Sequence, residues 1–316
     1  NKNQMYLDMV LLKSIQNVSW LLPMVTFVLV PAGFLFFKIQ SKDLGKGIRY
    51  FLMVIISVFM GCKSSGDRNF VRNGATAHRG NSADYPENTI PAFKSALSLG
   101  VDWIELDIHK TKDGQIVVIH DATTSRVGNR NLQVSEVTFE ELKSVDVAHE
   151  FRIRKKLTLK EYSSLSVPLL SDIIRLIMQQ NETRLSIQPK ANCVKETIAM
   201  IKKLNAEPWV GFNDGSLHKM KEVKKEAKLI PVFWDRPADT NIDEDLKIAQ
   251  KEGFESIVIN HFGITKAKVD KIHEAGLEIG AWTVNDPART KTLLSMGVDR
   301  IYTDHPRRLM QLLREK

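Results

Sequence analysis

The stretch Trp103-Ile104-Glu105-Leu106-Asp107-Ile108-His109-Lys110-Thr111-Lys112-Asp113-Gly114-Gln115-Ile116-Val117-Val118-Ile119-His120-Asp121 decides how the whole chain is read. From Trp103 to His109 it alternates, and residues two apart on a strand project from the same face. Glu105 and Asp107 therefore point into one pocket. Carboxylates that close raise each other's pKa unless positive charge intervenes, and hard divalent cations such as Mg²⁺ and Ca²⁺ take oxygen ligands of this kind. Asp113-Gly114 between two apolar-rich runs is a hairpin signal. The connection is far too short for a parallel crossover, which takes about a dozen residues or more. With Asp113 and Gly114 as the two loop residues, pairing places His120 opposite Asp107 and returns an imidazole to the carboxylates.

Assigning residues 116–119 to that hairpin settles the strand count. Eight strand-like runs remain, at 76–78, 103–108, 184–188, 209–212, 229–233, 256–259, 278–283 and 300–303, generally followed by amphipathic helical stretches. The alternation predicts an α/β fold, the TIM (β/α)₈ barrel. The 246 residues after residue 70 match one such barrel, about 250 residues, and can bury a large single core. The first helix is expected from residue 88 or 89 to Leu99. Pro91 suits its first turn, Ile90, Phe93 and Leu97 mark one face, and Gly100 ends it. Residues 122–168 break the rhythm as a small insertion after the second barrel strand and its hairpin. Its basic run, 152–156, reads as a solvated face. The barrel and this insertion span 74–316.

The chemistry gathers at His78-Arg79-Gly80, Glu105-Leu106-Asp107 and His120-Asp121. Two imidazoles can shuttle protons and two carboxylates can share a cation, which are the parts of a metal-assisted phosphodiester hydrolase. These blocks, with Pro86-Glu87-Asn88-Thr89, Thr111-Lys112-Asp113-Gly114, Leu185-Ser186-Ile187-Gln188-Pro189-Lys190, Trp282-Thr283-Val284-Asn285 and Thr303-Asp304-x-Pro306, resemble the glycerophosphodiester phosphodiesterase family. The likeness covers roughly residues 74–310 in the family's order, and the ordered set is specific where each motif is modest.

The resemblance implies hydrolysis of glycerophosphodiesters to glycerol 3-phosphate and an alcohol, with a divalent metal, Mg²⁺ or Ca²⁺. Glu105 and Asp107 are the expected metal ligands, and His78 and His120 the acid–base pair. By the same resemblance, the glycerol hydroxyl beside the phosphoester attacks phosphorus and water opens the cyclic product. Lys190, at the end of the third strand, can oppose phosphate charge. Arg79 offers a two-pronged donor to a phosphoryl oxygen, or else an ion pair with a neighbouring carboxylate. Trp282 can wall the glycerol, and Asn88 is assigned to structure. One departure stands out: the family usually has a glutamate ligand where this chain has Gln188. Its carbonyl can still ligate but carries no charge, so Gln188→Glu is expected to tighten metal binding. Two alternatives remain: a phosphodiesterase acting on lysophospholipid or phospholipid, and a barrel that binds phosphodiesters without cleaving them.

The chain carries 45 Lys and Arg against 37 Asp and Glu, a formal charge of +8. No aromatic-interleaved basic stripe or zinc spacing accompanies that charge, so nucleic acid is not an expected partner. The two cysteines, Cys62 and Cys193, make no disulfide framework, and Cys193 reads as a packed thiol. Residues 1–61 read as a hydrophobic targeting region. Residues 20–37 are uncharged and long enough for a marginal span, and 1–43 is either an extra membrane span or an over-extended reading frame. A basic stretch at 46–50, an apolar run at 51–61 and Gly61-Cys62 resemble a bacterial lipoprotein signal, although Phe59 and Met60 depart from the usual cleavage box. On that reading Cys62 is lipidated, 62–73 is a tether, and the barrel is exported and membrane-anchored, in the periplasm or at the cell surface.

Overall fold

The computed structural model describes residues 72–315. Cys62 and the apolar runs at 20–37 and 51–61 lie outside them, and no described helix is long and apolar enough to cross a membrane. The described strands are β1 (Ala75–Ala77), β2 (Trp103–Lys110), β3 (Ile116–Val118), β4 (Arg184–Pro189), β5 (Val210–Asp214), β6 (Val232–Arg236), β7 (Ser256–Asn260), β8 (Glu278–Trp282) and β9 (Arg300–Thr303). All except β3 run parallel, and β1 pairs with both β2 and β9, so eight strands close into a TIM barrel. Antiparallel β3 hangs on the outer end of β2.

Helices cover the outside: α1 (Ile90–Leu99), then, after the insertion, α4 (Leu170–Ile177), α5 (Val194–Lys203), α6 (Leu217–Glu226), α7 (Ile242–Glu252), α8 (Lys266–Glu274), α9 (Pro287–Met296) and α10 (Pro306–Arg314). Their inner faces, with Phe93, Ile173, Ile198 and Met220, pack on outward strand residues such as Ile104, Ile187 and Phe212. Each such side chain contributes about 1.5–3 kcal/mol by leaving water. Of the expected stripe of α1, Phe93 is buried and Leu97 packs partly against the core, but Ile90 is exposed and Ala92 and Ala96 complete the buried face. Small residues let that helix lie close to the barrel. Inside the barrel, Trp103, Phe233, Val258 and Tyr302 form a separate cluster. The Arg300 guanidinium lies 4.0 Å from the Phe233 ring centre and 4.9 Å from that of Trp103.

Two sequence expectations shift. The hairpin loop holds three residues, 112–114, closed by Thr111 N–H donating to Gln115 O at 3.0 Å. Gly114 takes the left-handed conformation, φ +79°, that three-residue hairpins place before the return strand. Ile108 therefore faces Val118, and Asp107 meets Ile119 rather than His120. The run at 229–233 also moves: Leu229 is exposed, and β6 extends instead to Arg236. Apolarity marked the wrong end, because the mouth end of a barrel strand carries polar side chains.

Within the insertion, α2 (Phe139–Leu142) is capped reciprocally by Thr138 and Glu141, and α3 (His149–Lys155) follows. Val127, Val134, Leu142, Val145, Val147 and Val167 form its own small core against Val117 and Ile119. Asp146 accepts hydrogen bonds from Ala148 N, Leu165 N and Ser164 Oγ, and pairs with Arg152.

Candidate active site

The C-terminal ends of the strands surround a cavity of about 510 Å³. His78, Arg79, Glu105, His120, Gln188, Lys190 and Trp282 line it. His120 arrives despite the shifted register, because β3 ends at Val118 and the chain turns into the mouth. His109 steadies that turn, its Nε2 lying 3.1 Å from His120 O.

Each imidazole is held at Nδ1 by a carboxylate. His78 Nδ1 is 2.7 Å from Asp304 Oδ1, and His120 Nδ1 is 2.6 Å from Asp121 Oδ1. An N–H at Nδ1 leaves Nε2 as the position that exchanges protons. His78 Nε2 lies 3.9 Å from Glu105 Oε2. Burial alone would lower the His78 pKa, but the Asp304 hydrogen bond and the Glu105 charge raise it above the ordinary value. For His120 burial wins over Asp107 and Asp121, and the pKa falls. Asp121 is held by Arg126 of the insertion, which also reaches both Glu87 oxygens, at 2.8 and 2.7 Å.

The carboxylate pair is buried. Burial and then the charge of Asp107 push Glu105 up to about 7. Asp107 goes the other way: Arg79 and Lys190 outweigh its burial and hold it low. Arg79 Nε is 3.2 Å from Asp107 Oδ2, Arg79 Nη1 donates to Glu87 at 3.0 Å, and Arg79 N donates to Glu105 Oε2 at 3.0 Å. The guanidinium thus makes the ion pairs that its sequence context allowed. A tight turn brings it there, and Gly80 makes the turn possible: its φ is +81°, and a Cβ would sit 2.8 Å from that of Ala92. Asn88, itself at φ +57°, donates from Nδ2 to Asp107 Oδ2 at 2.9 Å. It does not cap α1; Thr89 occupies that position.

Oxygen donors for a hard cation are present. Glu105 Oε1 and Asp107 Oδ1 are buried without a hydrogen bond. Lys190 Nζ lies 3.2 Å from Asp107 Oδ1 and also donates to Gln188 Oε1. Lys190 thus brings Asp107 Oδ1 and Gln188 Oε1 to one positive charge. Among the described residues no three His, Cys, Asp or Glu side chains form a ready metal cage; the oxygens that would be offered to a cation here belong to two carboxylates and an amide carbonyl. This donor chemistry fits Mg²⁺ or Ca²⁺.

Sequence reasoning assigned no role to Asp304, Asp121, Asp235 or Asn213. Asp304 stood inside a quoted motif and Asp121 beside a quoted histidine, so both were visible without a reason to single them out. Asp235 and Asn213 sit on strands whose mouth ends carry no motif. Asp235 lines the cavity beside Gln188, and burial pushes its carboxyl up to about 8.

Proton transfer at two positions, with positive charge nearby for phosphoryl oxygens, is what this mouth is equipped for, and the class it defines is the TIM-barrel phosphodiesterases. Residues 78–308 match the model of the glycerophosphoryl diester phosphodiesterase family. The chain belongs to that family and is a phosphoric diester hydrolase. A glycerophosphodiester phosphodiesterase of Bacillus altitudinis is 33% identical over 248 residues, 76% of this chain and 97% of the relative. One of Caldanaerobacter subterraneus is 32% identical over the same shares. Among solved structures, an Oleispira antarctica phosphodiesterase in complex with the product sn-glycerol-3-phosphate has the same fold. It superposes with a TM-score of 0.68 at 23% identity, covering 78% of this chain and 98% of that one.

Proposed function

We propose that this protein hydrolyses water-soluble glycerophosphodiesters to glycerol 3-phosphate and an alcohol, with His78 and His120 exchanging the protons. The observation that carries the reading is the pair of imidazoles, each tied at Nδ1 to a carboxylate, at one cavity beside two buried carboxylates, Glu105 with an oxygen free of hydrogen bonds and Asp107 paired with Lys190. The identity with named relatives supports the substrate class. One imidazole takes the proton of the glycerol hydroxyl next to the phosphoester at Nε2, and the other donates a proton to the departing alkoxide. The roles then reverse as water opens the cyclic phosphodiester. Arg79 and Lys190 orient and neutralise the phosphoryl oxygens, and Trp282 walls the glycerol. Glu105, Asp107 and the Gln188 carbonyl would hold Mg²⁺ or Ca²⁺, which when bound polarises the phosphoryl oxygen. Positioned acid–base groups supply about 10²–10⁴-fold each, so His78→Ala or His120→Ala is expected to cost at least about 10²-fold in kcat.

The test is glycerol phosphate release from glycerophosphoethanolamine by the purified protein, after chelation and after restoring Mg²⁺ or Ca²⁺. Metal-dependent release is expected. No release with either ion from folded protein overturns the reading, and release only from micellar lysophospholipid moves the substrate to lipids.

The N-terminal reading extends the proposal: Cys62 carries the lipid that holds the exported barrel at a bacterial membrane. Palmitate labelling of the expressed protein is expected to disappear in Cys62→Ala, and labelling that persists would overturn it.

A further inference from the structure

Gln188 sits between two groups of opposite hydrogen-bonding character. On one side is Lys190 Nζ, which can only donate, and it meets Gln188 Oε1. On the other is the Asp235 carboxyl, whose Oδ2 accepts from Gln188 Nε2 at 3.0 Å. A side-chain amide satisfies both neighbours in one orientation only, carbonyl to the lysine and NH₂ to the aspartate. The same logic runs one step further. Asn213 Nδ2 donates to the same Asp235 oxygen at 3.1 Å, while Asn213 Oδ1 accepts from Ser186 Oγ at 2.7 Å. Two amides on β4 and β5 thus hold one carboxyl on β6. Phe233, two residues before Asp235, packs inside the barrel, so the β6 alternation turns Asp235 inward at the mouth.

We propose that Asp235 is a positioning residue that holds the Gln188 carbonyl toward Asp107 and the cation donors, and that the amide at 188 and the carboxyl at 235 are a matched pair. The cation part of this proposal rests on the reading given under Proposed function. The consequence for Gln188→Glu is the reverse of the first expectation. A glutamate there would put a second carboxyl at hydrogen-bond distance from Asp235. It has no N–H for Asp235 Oδ2, so two acceptor oxygens would face each other where a donor and an acceptor now meet, a mismatch that offsets what the carboxylate brings to the cation donors. Exchanging the pair, with glutamate at 188 and asparagine at 235, restores a donor to the carboxylate; Asn213 turns over with it, its Oδ1 accepting from the new amide and its Nδ2 donating to the Ser186 hydroxyl, which can donate or accept.

The experiment is a double-mutant cycle of the full protein: wild type, Q188E, D235N and Q188E/D235N. Mg²⁺ and Ca²⁺ affinities are read by calorimetry, and melting temperatures are read in chelator. Q188E alone is expected to bind no more tightly than wild type and to melt lower in chelator. D235N alone is expected to match wild type on both readouts, since an asparagine oxygen in the place of Asp235 Oδ2 still accepts from Gln188 and Asn213. Q188E/D235N is expected to recover the melting temperature and to bind the cation about tenfold more tightly than Q188E, a coupling within the range for hydrogen-bonded neighbours. Additive effects on both readouts overturn the pairing. If wild type binds neither ion, the cation reading under Proposed function fails, while the melts in chelator still decide whether 188 and 235 are matched.

Discussion

Asp304→Asn tests the proton-transfer reasoning with almost no change in shape. Asp304 Oδ2 accepts from Asn285 Nδ2 at 2.6 Å, and Asn285 cannot turn, because its Oδ1 accepts from Asp304 N at 3.0 Å and from Thr303 Oγ1 at 3.1 Å. An asparagine at 304 must therefore present its oxygen to Asn285 and its NH₂ to His78 Nδ1. That reverses the hydrogen bond, places the remaining imidazole proton on Nε2, and removes the negative charge that supports the imidazolium. A hydrogen bond to a charged group is worth about 1.5–3 kcal/mol. Asp304 is 32% exposed, so solvent screening favours the lower half of that range. At about 1.4 kcal/mol per tenfold, charge loss alone gives roughly 10–30-fold. The wrong tautomer blocks proton acceptance at Nε2 and brings the expected loss in kcat to at least about 10²-fold. The assay is initial rate against pH with glycerophosphoethanolamine, wild type beside variant. Asp304 raises the His78 pKa, so its removal moves the limb that requires protonated His78 to lower pH. KM is expected to change only a few-fold. A kcat within about threefold of wild type, with the limb unmoved, would refute the assignment.

Other outcomes follow from particular contacts. Asn88→Ala loses a buried hydrogen bond to a charged carboxylate and leaves alanine at φ +57°; together these cost about 2–4 kcal/mol. Urea unfolding measures the cost, and a loss below about 0.5 kcal/mol would contradict it. Gly80→Ala pushes a Cβ to 2.8 Å from Ala92 Cβ at a left-handed backbone position. The expected destabilisation is at least about 1–3 kcal/mol, seen as a lower melting temperature, and an unchanged melt would mean the turn is more pliant than its packing suggests. In the insertion, the hydrogen bonds to Asp146 overcome its burial and lower its pKa. A depressed carboxyl contributes stability above the unfolded pKa and loses it as pH falls through the folded value. Acidification below the ordinary aspartate range is therefore expected to raise protease sensitivity at residues 122–168 before the barrel opens, and Arg152→Met is expected to raise it already at neutral pH. Equal protection of both regions down to about pH 2 would sink this.

Much of the architecture could be read from local pattern. Alternation placed Glu105 and Asp107 on one face, Asp113-Gly114 announced the hairpin, and counting the other strands left the eight that close the barrel. Those signals are local because side-chain direction along a strand and turn chemistry depend on neighbours in sequence. The hairpin register escaped by one residue, since two- and three-residue loops both accommodate Asp-Gly, and the three-residue loop is held by contacts with the insertion: Lys112 N donates to Val137 O, Phe139 N donates to Asp113 Oδ1, and Val117 and Ile119 pack in its core. The mouth ends of β5 and β6 escaped for a different reason: their polar residues carry no apolar period, and closure of the barrel alone tells which of them face inward.

The residues that meet at the mouth were thus legible in the chain itself: His78, His120, the carboxylate pair, Lys190 and the odd Gln188. The contacts that hold them were not. That Asp304 holds His78 from 226 residues away, that Arg126 joins the insertion to Asp121 and Glu87, and that Asp235 faces Gln188 across β5 are relations between strands and loops distant in sequence. Hydrogen bonds and charge act over a few ångströms, and only the closed barrel brings those groups within that range.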